Sequence, residues 1–366
     1  MRRLVVGLVV TFAFGTTAAV AQTPPVAPGD VGPGTPTYEV GRTTITITIE
    51  PGRTLDADVW YPADEAAVES LGKSTYNFPG LQYTSTVAYD SPPVSGEGPF
   101  PLVVYSHGSG GLRYVSAYLT EALAARGFVV VAVDHTGNTA IDAFADTTLP
   151  RAEVVRLRPI DIRAEIDAMA AANDDPASPF AGAVDAENVG LIGHSAGGTG
   201  VLLTASGRGE EPADPRVTAV VGLAAYTDPV TDAELTRIDV PTMLISGTLD
   251  TTTPIRPQTE RPWRELEATP RYRVDLDGAG HQSFADVCLY QQVVEATPDV
   301  APPVAEAVDD FANDACLPKF LPIAKAHTLI DRYAIGFLER YLQGDKAAEK
   351  LLRPTEPKIV SVDVER

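Results

Sequence analysis

The sequence is short of positive charge. Its 366 residues contain 28 lysines and arginines against 49 aspartates and glutamates, so the formal net charge is −21. A chain this acidic is repelled by nucleic acid and by anionic membrane surfaces, and we therefore expect no nucleic-acid partner. Histidines and cysteines do not cluster at metal-ligand spacings, and the acidic residues form no calcium-loop pattern. We therefore expect neither a metal nor an organic cofactor.

A long hydrophobic run is also missing, since no stretch reaches the roughly 20 apolar residues that span a bilayer. The N-terminus instead has two arginines, an apolar stretch over residues 4–15, and the small-residue pattern Ala19-Val20-Ala21. This order is typical of a signal peptide over residues 1–21, cleaved after Ala21. We expect a secreted or periplasmic protein without a stable membrane anchor.

Only two cysteines occur, Cys288 and Cys316. In an exported chain the oxidising surroundings would join them in a disulfide, and the alternative is a pair of buried free thiols. Neither cysteine lies in a recognisable catalytic setting. This argues against a cysteine nucleophile.

The patterning of apolar residues predicts an α/β fold. Residues 22–37 are rich in Pro and Gly and are predicted to be disordered. Residues 43–49 and 55–61 alternate polar and apolar side chains, which predicts an antiparallel pair at a sheet edge. Beyond residue 102, short apolar strands alternate with helical spacings, which predicts a mostly parallel sheet with helices on both faces. Predicted strands cover residues 102–105, 128–133, 189–192, 219–224, 243–245 and 272–276, and predicted helices cover 114–126, 159–171, 196–205 and 323–342.

The length is consistent with one large α/β catalytic domain, which we expect over residues 38–345, and with a C-terminal tail over residues 346–366. Two stretches, residues 65–97 and 289–313, do not follow the alternation of strands and helices. We predict that both form lids or rim loops. A disulfide between the two cysteines would close the second stretch.

The strongest chemical signal is the segment from Gly193 to Gly197, which contains Ser195 and joins an apolar strand to a helix of small residues. A serine on so tight a turn needs glycines two positions before and after it, because a Cβ there would collide with neighbouring backbone. The turn would hold the Ser195 hydroxyl above the sheet. We therefore predict that Ser195 is a nucleophile.

Five histidines are candidates for the base that a nucleophilic serine needs. His194 lies inside the turn itself, and His327 lies in the terminal helix. His107 and His135 follow strands that precede the serine, so they could line the site, with His107 as the candidate to bind substrate, but they come in the wrong order for the base. His281 follows the last parallel strand in a glycine-rich loop, and we predict that it is the general base.

The base requires a carboxylate that holds its tautomer. Asp250 follows a buried strand and precedes His281. In α/β enzymes whose nucleophile lies on a strand-to-helix turn, the serine, the acid and the base follow in this chain order. For the oxyanion we predict two backbone N–H donors. One belongs to Ala196, and the other to Ser109 in the glycine-rich loop after the first parallel strand.

With these features in this order, residues 43–342 resemble the α/β-hydrolase superfamily. Three segments are similar to plasma-type platelet-activating factor acetylhydrolases and to dienelactone-hydrolase-like esterases, namely residues 106–113, 193–198 and 281–286. The last segment, His281-Gln282-Ser283-Phe284-Ala285-Asp286, is the most specific of the three.

One segment resembles a different branch of the superfamily. Residues 241–254 are similar to bacterial cutinases and polyester hydrolases, whose acid corresponds to Asp250. In the acetylhydrolases the acid would fall earlier in the chain, where Asp228 is the candidate. Tyr226 matches an aromatic residue that clamps substrate in the cutinases, and a packing role is the alternative.

The resemblance implies a serine esterase that cleaves carboxylic esters through an acyl-enzyme. We expect the protein to be a monomer. The first expected substrates are short acyl esters, such as acetylated or oxidised phospholipids. A cutinase-like polyester hydrolase is the alternative, and amide hydrolysis would use the same triad. Outside the enzymes, the alternative is a non-catalytic binding protein of the same fold, although the presence of all three triad residue types in order argues against it.

Overall fold

A computed structural model describes residues 38–50, 52–78, 80–209, 211–354 and 356–366. The predicted signal peptide, residues 1–21, and the predicted lead-in, residues 22–37, lie outside the described residues. In the part of the chain that the structure describes, none of the helices combines the length and apolarity that a membrane span requires.

The described residues form one sheet of eleven strands, in the order β11-β10-β9-β8-β7-β5-β6-β2-β1-β4-β3. The neighbours from β6 to β10 pair in parallel, whereas β1 and β2 form an antiparallel pair that joins the sheet at β6. The α/β class, the mostly parallel sheet and the antiparallel N-terminal strands are thereby confirmed. The strands are β1 (Glu39–Glu50), β2 (Arg53–Ala63), β3 (Lys73–Phe78), β4 (Leu81–Asp90), β5 (Phe100–Ser106), β6 (Val129–Val133), β7 (Val184–His194), β8 (Val217–Leu223), β9 (Thr242–Gly247), β10 (Arg271–Leu276) and β11 (Val360–Glu365).

Helices cover both faces of the sheet, so its central strands are apolar along their whole length. In β6, Val130 and Ala132 belong to the core that includes α2 and α10, while Val129 and Val131 belong to the core that includes α4 and α5. This alternation follows from the two-residue period of a strand. The helices are α1 (Glu65–Val68), α2 (Ala117–Ala125), α3 (Ala140–Ala145), α4 (Arg151–Asp174), α5 (Ala196–Ser206), α6 (Asp232–Leu235), α7 (Arg261–Glu265), α8 (Val287–Ala296), α9 (Pro302–Ala312) and α10 (Ile323–Tyr341).

The two stretches predicted as lids or rim loops have regular structure. Residues 65–97 contain α1 and the hairpin of β3 and β4, and β4 pairs in parallel with β1 at the sheet edge. Residues 289–313 contain most of α8 and all of α9, and α8 packs near β4. Both stretches therefore meet at one end of the sheet.

The predicted boundary at residue 345 is wrong, because the C-terminal tail belongs to the sheet. Within residues 346–366, β11 pairs antiparallel with β10 over six residues, from Arg271 with Glu365 to Leu276 with Val360. Val360 is buried, and the tail alternates apolar and polar residues as an edge strand does. Tertiary pairing thus extends the domain to the end of the chain described.

Candidate active site

Ser195 lies on a sharp turn between β7 and α5. Its backbone has φ of 53° and ψ of −116°, a strained conformation for a residue with a side chain. The glycines around it leave no room for a Cβ: one added at Gly193 would lie 2.3 Å from the backbone of Gly197, and one added at Gly197 would lie 1.9 Å from the carbonyl oxygen of Ser106. The turn therefore depends on glycine at both positions.

Ser195, His281 and Asp250 form a continuous line of hydrogen bonds. His281 Nε2 lies 2.9 Å from Ser195 Oγ, and His281 Nδ1 lies 2.8 Å from Asp250 Oδ2. The His281 and Asp250 side chains are both buried. With a proton on Nδ1 donated to Asp250, Nε2 is free to accept the proton of the serine hydroxyl. The structure thus brings together the three residues that chain order selects.

Asp250 is held by the backbone and hydroxyl of the loop that follows it. Its Oδ1 accepts the N–H groups of Thr252 at 2.8 Å and Thr253 at 2.7 Å, and its Oδ2 accepts the Thr253 hydroxyl at 2.6 Å. Burial alone would raise the pKa of the Asp250 carboxyl, but the hydrogen bonds from His281 and Thr253 outweigh burial and hold the pKa below its usual value. The carboxylate is therefore charged and oriented before any substrate binds.

Asp228, the other candidate acid, belongs to a separate network. Its Oδ1 accepts a hydrogen bond from Gln258 Nε2 at 2.8 Å. The same amide, through Oε1, accepts the backbone N–H of Thr227 at 2.6 Å. This network packs the start of the loop after β8 and does not include the His281 ring.

His194 has a position that the sequence reasoning missed. Its Nε2 donates to the backbone carbonyl of His281 at 3.0 Å, and the two rings lie 4.8 Å apart between centroids. Burial, with a further contribution from His281, lowers the pKa of His194 to about 3, so its ring is neutral. His194 therefore anchors the loop that carries His281. In the sequence, only the position of His194 next to Ser195 could have indicated this anchoring role.

The two predicted oxyanion donors lie beside the nucleophile. Ala196 opens α5, so its N–H has no acceptor within the helix. The loop that carries Ser109 passes close to Ser195, since a Cβ added at Gly108 would lie 3.3 Å from Ser195 Cβ. Ser109 and Ser195 both line the two pockets that are described below. Their role as donors stays a prediction.

His107 lines neither of the two pockets described below, and nothing else in the structure supports the prediction that it binds substrate. The residue has no exposed surface. Its Nδ1 donates to the carbonyl of Gly108 at 2.7 Å, and its Nε2 accepts the backbone N–H of His135 at 3.2 Å. The end of β5 turns this ring into the protein interior, where it braces the glycine-rich loop.

A buried network of four side chains lies beneath that loop, and we call Ser106, His135, Arg158 and Asp161 the support network. Ser106 Oγ lies 2.8 Å from His135 Nε2, and His135 Nδ1 lies 2.9 Å from Asp161 Oδ2. Arg158 donates to Ser106 Oγ at 3.0 Å and to the carbonyl of His107. Burial lowers the pKa of His135 to about 4, which keeps its ring neutral. The network fixes the backbone from which the Ser109 N–H projects.

Two pockets share Ser109 and Ser195. The first, which we call the apolar pocket, has a volume of about 60 Å³ and includes Phe78 from β3 and Phe311 from α9 among its lining residues. The second, which we call the arginine cleft, has a volume of about 400 Å³. The arginine cleft is lined by Ser109, Asn138, Thr148, Leu149, Arg151, Val154, Val155, Arg158, Ser195, Ala196, Thr199, Tyr226, Thr252 and Thr253.

Tyr226 stands at the wall of the arginine cleft, as a substrate-contacting residue would. Its hydroxyl accepts a hydrogen bond from Arg151 Nη1 at 3.0 Å, and its backbone carbonyl accepts the hydroxyl of Thr199. Arg151 therefore holds the phenol and Thr199 holds the backbone of Tyr226 at the wall of the cleft that contains Ser195. Its contact with substrate stays a prediction.

The predicted disulfide is present, since Cys288 and Cys316 are joined with an S–S distance of 2.03 Å. The bond links α8 to the segment between α9 and α10. Because α8 and α9 supply Tyr290, Val308 and Phe311 to the apolar pocket, the disulfide closes a segment that forms one wall of the site.

The fold and the site together define an α/β hydrolase. The family model for PET hydrolase-like proteins matches residues 93–292, more than half of the chain. The protein therefore belongs to the PET hydrolase-like family, and the predicted membership of the α/β-hydrolase superfamily is confirmed.

Named relatives come from both branches that the sequence resembles. The chain is 29% identical to a cutinase of Thermobifida alba over 183 residues, which are 50% of this chain and 53% of the cutinase. It is 23% identical over 328 residues to the platelet-activating factor acetylhydrolase of Cavia porcellus, covering 79% of this chain and 70% of the relative. It is 25% identical over 224 residues to a bis(hydroxyethyl) terephthalate hydrolase of Streptomyces coelicolor, with 61% of each chain covered. The chain thus spans about half the length of the cutinase it matches.

Proposed function

We propose that this protein is an exported serine hydrolase that cleaves carboxylic esters through an acyl-enzyme. The observation that carries the proposal is the hydrogen-bonded line from Ser195 through His281 to Asp250. The family and the named relatives, which include a cutinase and an acetylhydrolase, support the ester bond as the target. The disulfide is compatible with an exported protein.

In the first half of the proposed reaction, Ser195 Oγ attacks the ester carbonyl carbon while His281 Nε2 takes the hydroxyl proton. Asp250 stabilises the imidazolium that forms. The carbonyl oxygen becomes an oxyanion held by the N–H groups of Ala196 and Ser109, each of which would contribute about 3 kcal/mol to the transition state. The intermediate then collapses, the ester C–O bond breaks, and the alcohol leaves with the proton from His281.

In the second half, water attacks the acyl-enzyme. His281 takes a proton from the water, and the same two N–H groups hold the second oxyanion. The bond to Ser195 Oγ breaks as His281 returns the proton to it, and the carboxylic acid is released. Every proton is moved by one imidazole, so the proposed cycle requires no cofactor.

Short acyl esters are the substrate class that we favour, with acetylated or oxidised phospholipids as the first examples. The apolar pocket is small, at about 60 Å³, and Phe78 and Phe311 are among its walls, which favours a short acyl chain. The similarity to an acetylhydrolase over 79% of this chain also supports short acyl esters as substrates.

A polyester hydrolase is the second candidate, favoured by the family match and by Tyr226 at the wall of an open cleft. A hydrolysis panel separates the two. It contains p-nitrophenyl esters of rising chain length, a 2-acetyl ether phospholipid and a polyester film, with the Ser195→Ala variant as the blank. Preference for the acetyl phospholipid supports the first candidate, and soluble products released from the film support the second. Absence of Ser195-dependent hydrolysis across the panel contradicts both.

A further inference from the structure

The arginine cleft carries positive charge in a protein that is otherwise strongly acidic. Its lining residues, all in the described part of the chain, include Arg151 and Arg158 but no aspartate or glutamate. The whole chain has a formal charge of −21. The cleft next to the nucleophile therefore carries a charge opposite in sign to the net charge of the molecule.

Arg151 has hydrogen-bond donors available for a ligand. It opens α4, and its exposed guanidinium reaches Tyr226, with Nη1 3.0 Å from the phenol oxygen and the guanidinium carbon 5.3 Å from the ring centroid. Among the residues that the structure describes, no carboxylate lies within the 4.0 Å of an ion pair with Arg151. One neutral hydroxyl thus orients this guanidinium and leaves its charge unpaired.

Arg158 adds a second charge at the inner side of the cleft. The residue is buried, and its guanidinium donates to Ser106 Oγ, to the carbonyl of His107 and to Asn138 Oδ1, which are all neutral acceptors. Its Nε has no hydrogen-bond partner among the described residues. Burial lowers the pKa of Arg158 to about 10, so the side chain keeps its charge at neutral pH.

Two carboxyl groups, Asp161 and Glu165, lie near Arg158. Burial raises the pKa of Glu165 well above its usual value, which favours its neutral form. Asp161 forms an ion pair with Arg53, with Nη1 2.6 Å from Oδ1, and its other oxygen lies 2.9 Å from the ring of His135. The carboxylate therefore already has a cationic partner on the side away from the cleft lining. The donors available to a bound anion are therefore those of Arg151, and Arg158 adds positive charge at the inner side of the cleft.

We propose that the arginine cleft binds a carboxylate or phosphate group on one half of the ester, so that preferred substrates carry an anion at one end and a short apolar group at the other. The inference rests on the proposed ester hydrolysis at Ser195. Guanidinium groups bind these anions through two parallel N–H···O bonds, and Arg151 has the free donors for such a pair. The apolar pocket, which shares Ser109 and Ser195 with the cleft, takes the uncharged half.

Binding to the Ser195→Ala variant tests the inference without requiring turnover. Isothermal titration compares 4-acetoxybenzoate with its neutral methyl ester, and 1-acetylglycerol 3-phosphate with 1-acetylglycerol. We expect the anion of at least one pair to bind about 10-fold more tightly, and the pair that shows this preference identifies carboxylate or phosphate. Adding Arg151→Gln should abolish the preference, whereas Arg151→Lys, which retains the charge, should keep part of it.

Arg156→Gln is the matched control. It removes the same charge from the same helix, but Arg156 is exposed, pairs with Glu153 and does not line the arginine cleft. We expect this variant to keep the full preference. Equal binding within both pairs, or a preference that survives Arg151→Gln, overturns the inference. If the preference is present but the protein with Ser195 hydrolyses neither anion, the proposed function fails while the anion site stands.

Discussion

At the scale of single residues, the orientation of His281 depends on a few short contacts. Asp250 and Thr253 hold the Nδ1 side of the ring, at 2.8 Å and 3.0 Å, and His194 holds the backbone carbonyl. These contacts leave Nε2 facing Ser195. Loss of the carboxylate should therefore impair catalysis far more than it impairs folding.

Replacing the two candidate acids separately tests this expectation. We expect Asp250→Asn to lower kcat by about 10⁴-fold, because the amide would favour the wrong tautomer of His281. Asp228→Asn should change kcat by less than about threefold, since Asp228 bonds to Gln258 and not to His281. Steady-state kinetics on p-nitrophenyl acetate measures both, and a larger loss for the Asp228 variant would show that the acid is misassigned.

The support network makes a second prediction at this scale. Ser106→Ala removes the hydroxyl that both Arg158 and His135 contact, so we expect the loop that carries Ser109 to lose its fixed position. Because an oxyanion donor acts mainly in the transition state, kcat should fall about 10-fold or more while KM changes little.

The folded fraction, measured by circular dichroism beside the kinetics, distinguishes this role from simple loss of folded protein, because unfolded enzyme also lowers kcat without changing KM. Ser70→Ala, an exposed serine outside both pockets, is the control and should leave both constants unchanged. An equal loss of folded fraction and of kcat in Ser106→Ala would assign the network to stability alone.

How much of the site the sequence predicts depends on whether a residue acts through local chain geometry. The turn at Ser195 follows from glycine spacing, and the order of Asp250 and His281 follows from the strand pattern. The bracing role of His194 and the burial of His107 depend on how distant loops approach each other. No local pattern encodes that approach, so the sequence does not predict these two features.

At the scale of elements, α8 and α9 form a disulfide-closed wall of the apolar pocket. Replacing both Cys288 and Cys316 with serine opens a loop with a sequence separation of 28 residues. We expect the free energy of unfolding to fall by about 3 to 4 kcal/mol, and KM for short esters to rise as the wall loosens. Urea unfolding and steady-state kinetics measure the two effects.

Reductant provides the control for the disulfide prediction. Added to the native protein, it should reproduce the lower stability, and added to the double variant it should have no effect. Equal unfolding midpoints for the native protein and the double variant would show that packing alone holds α8 and α9 in place.

The sequence predicts the fully buried strands well. It predicts the ends of helices less well. Helix α4 begins at Arg151, earlier than the predicted residue 159, and it contains Pro159 in its interior. Because proline is favoured in the first turn of a helix, the sequence pattern places the start of this helix at Pro159. The preceding turns are helical because Val154 and Arg158 pack into the interior, and that packing is a tertiary effect.

At the scale of the whole molecule, the buried histidines couple stability to pH. Burial lowers the pKa of His327 to about 3, and its ring stacks on Tyr118 at 3.5 Å between centroids. An unfolded histidine has a pKa of 6.5, so below that pH the unfolded chain binds the proton and the folded protein does not. The stability that this residue provides above pH 6.5 is therefore lost as the pH falls toward 3.

His327→Gln isolates this effect, because the amide can still donate to the carbonyl of Ala285. The variant should be less stable than the native protein at pH 7, where it has lost the ring stacking. We expect the deficit to shrink by about 2 kcal/mol between pH 7 and pH 5. Denaturant unfolding at the two pH values measures it, and a deficit independent of pH would contradict the burial of a neutral ring.

The proposed function requires that the folded protein present one activated serine. Labelling with a fluorophosphonate, followed by mass spectrometry of the intact chain and of its peptides, tests this claim directly. We expect one label per chain, located on Ser195, absent in Ser195→Ala and formed much more slowly in His281→Gln. A folded native protein that takes up no label, or takes it up on a different serine, would show that Ser195 is not the nucleophile.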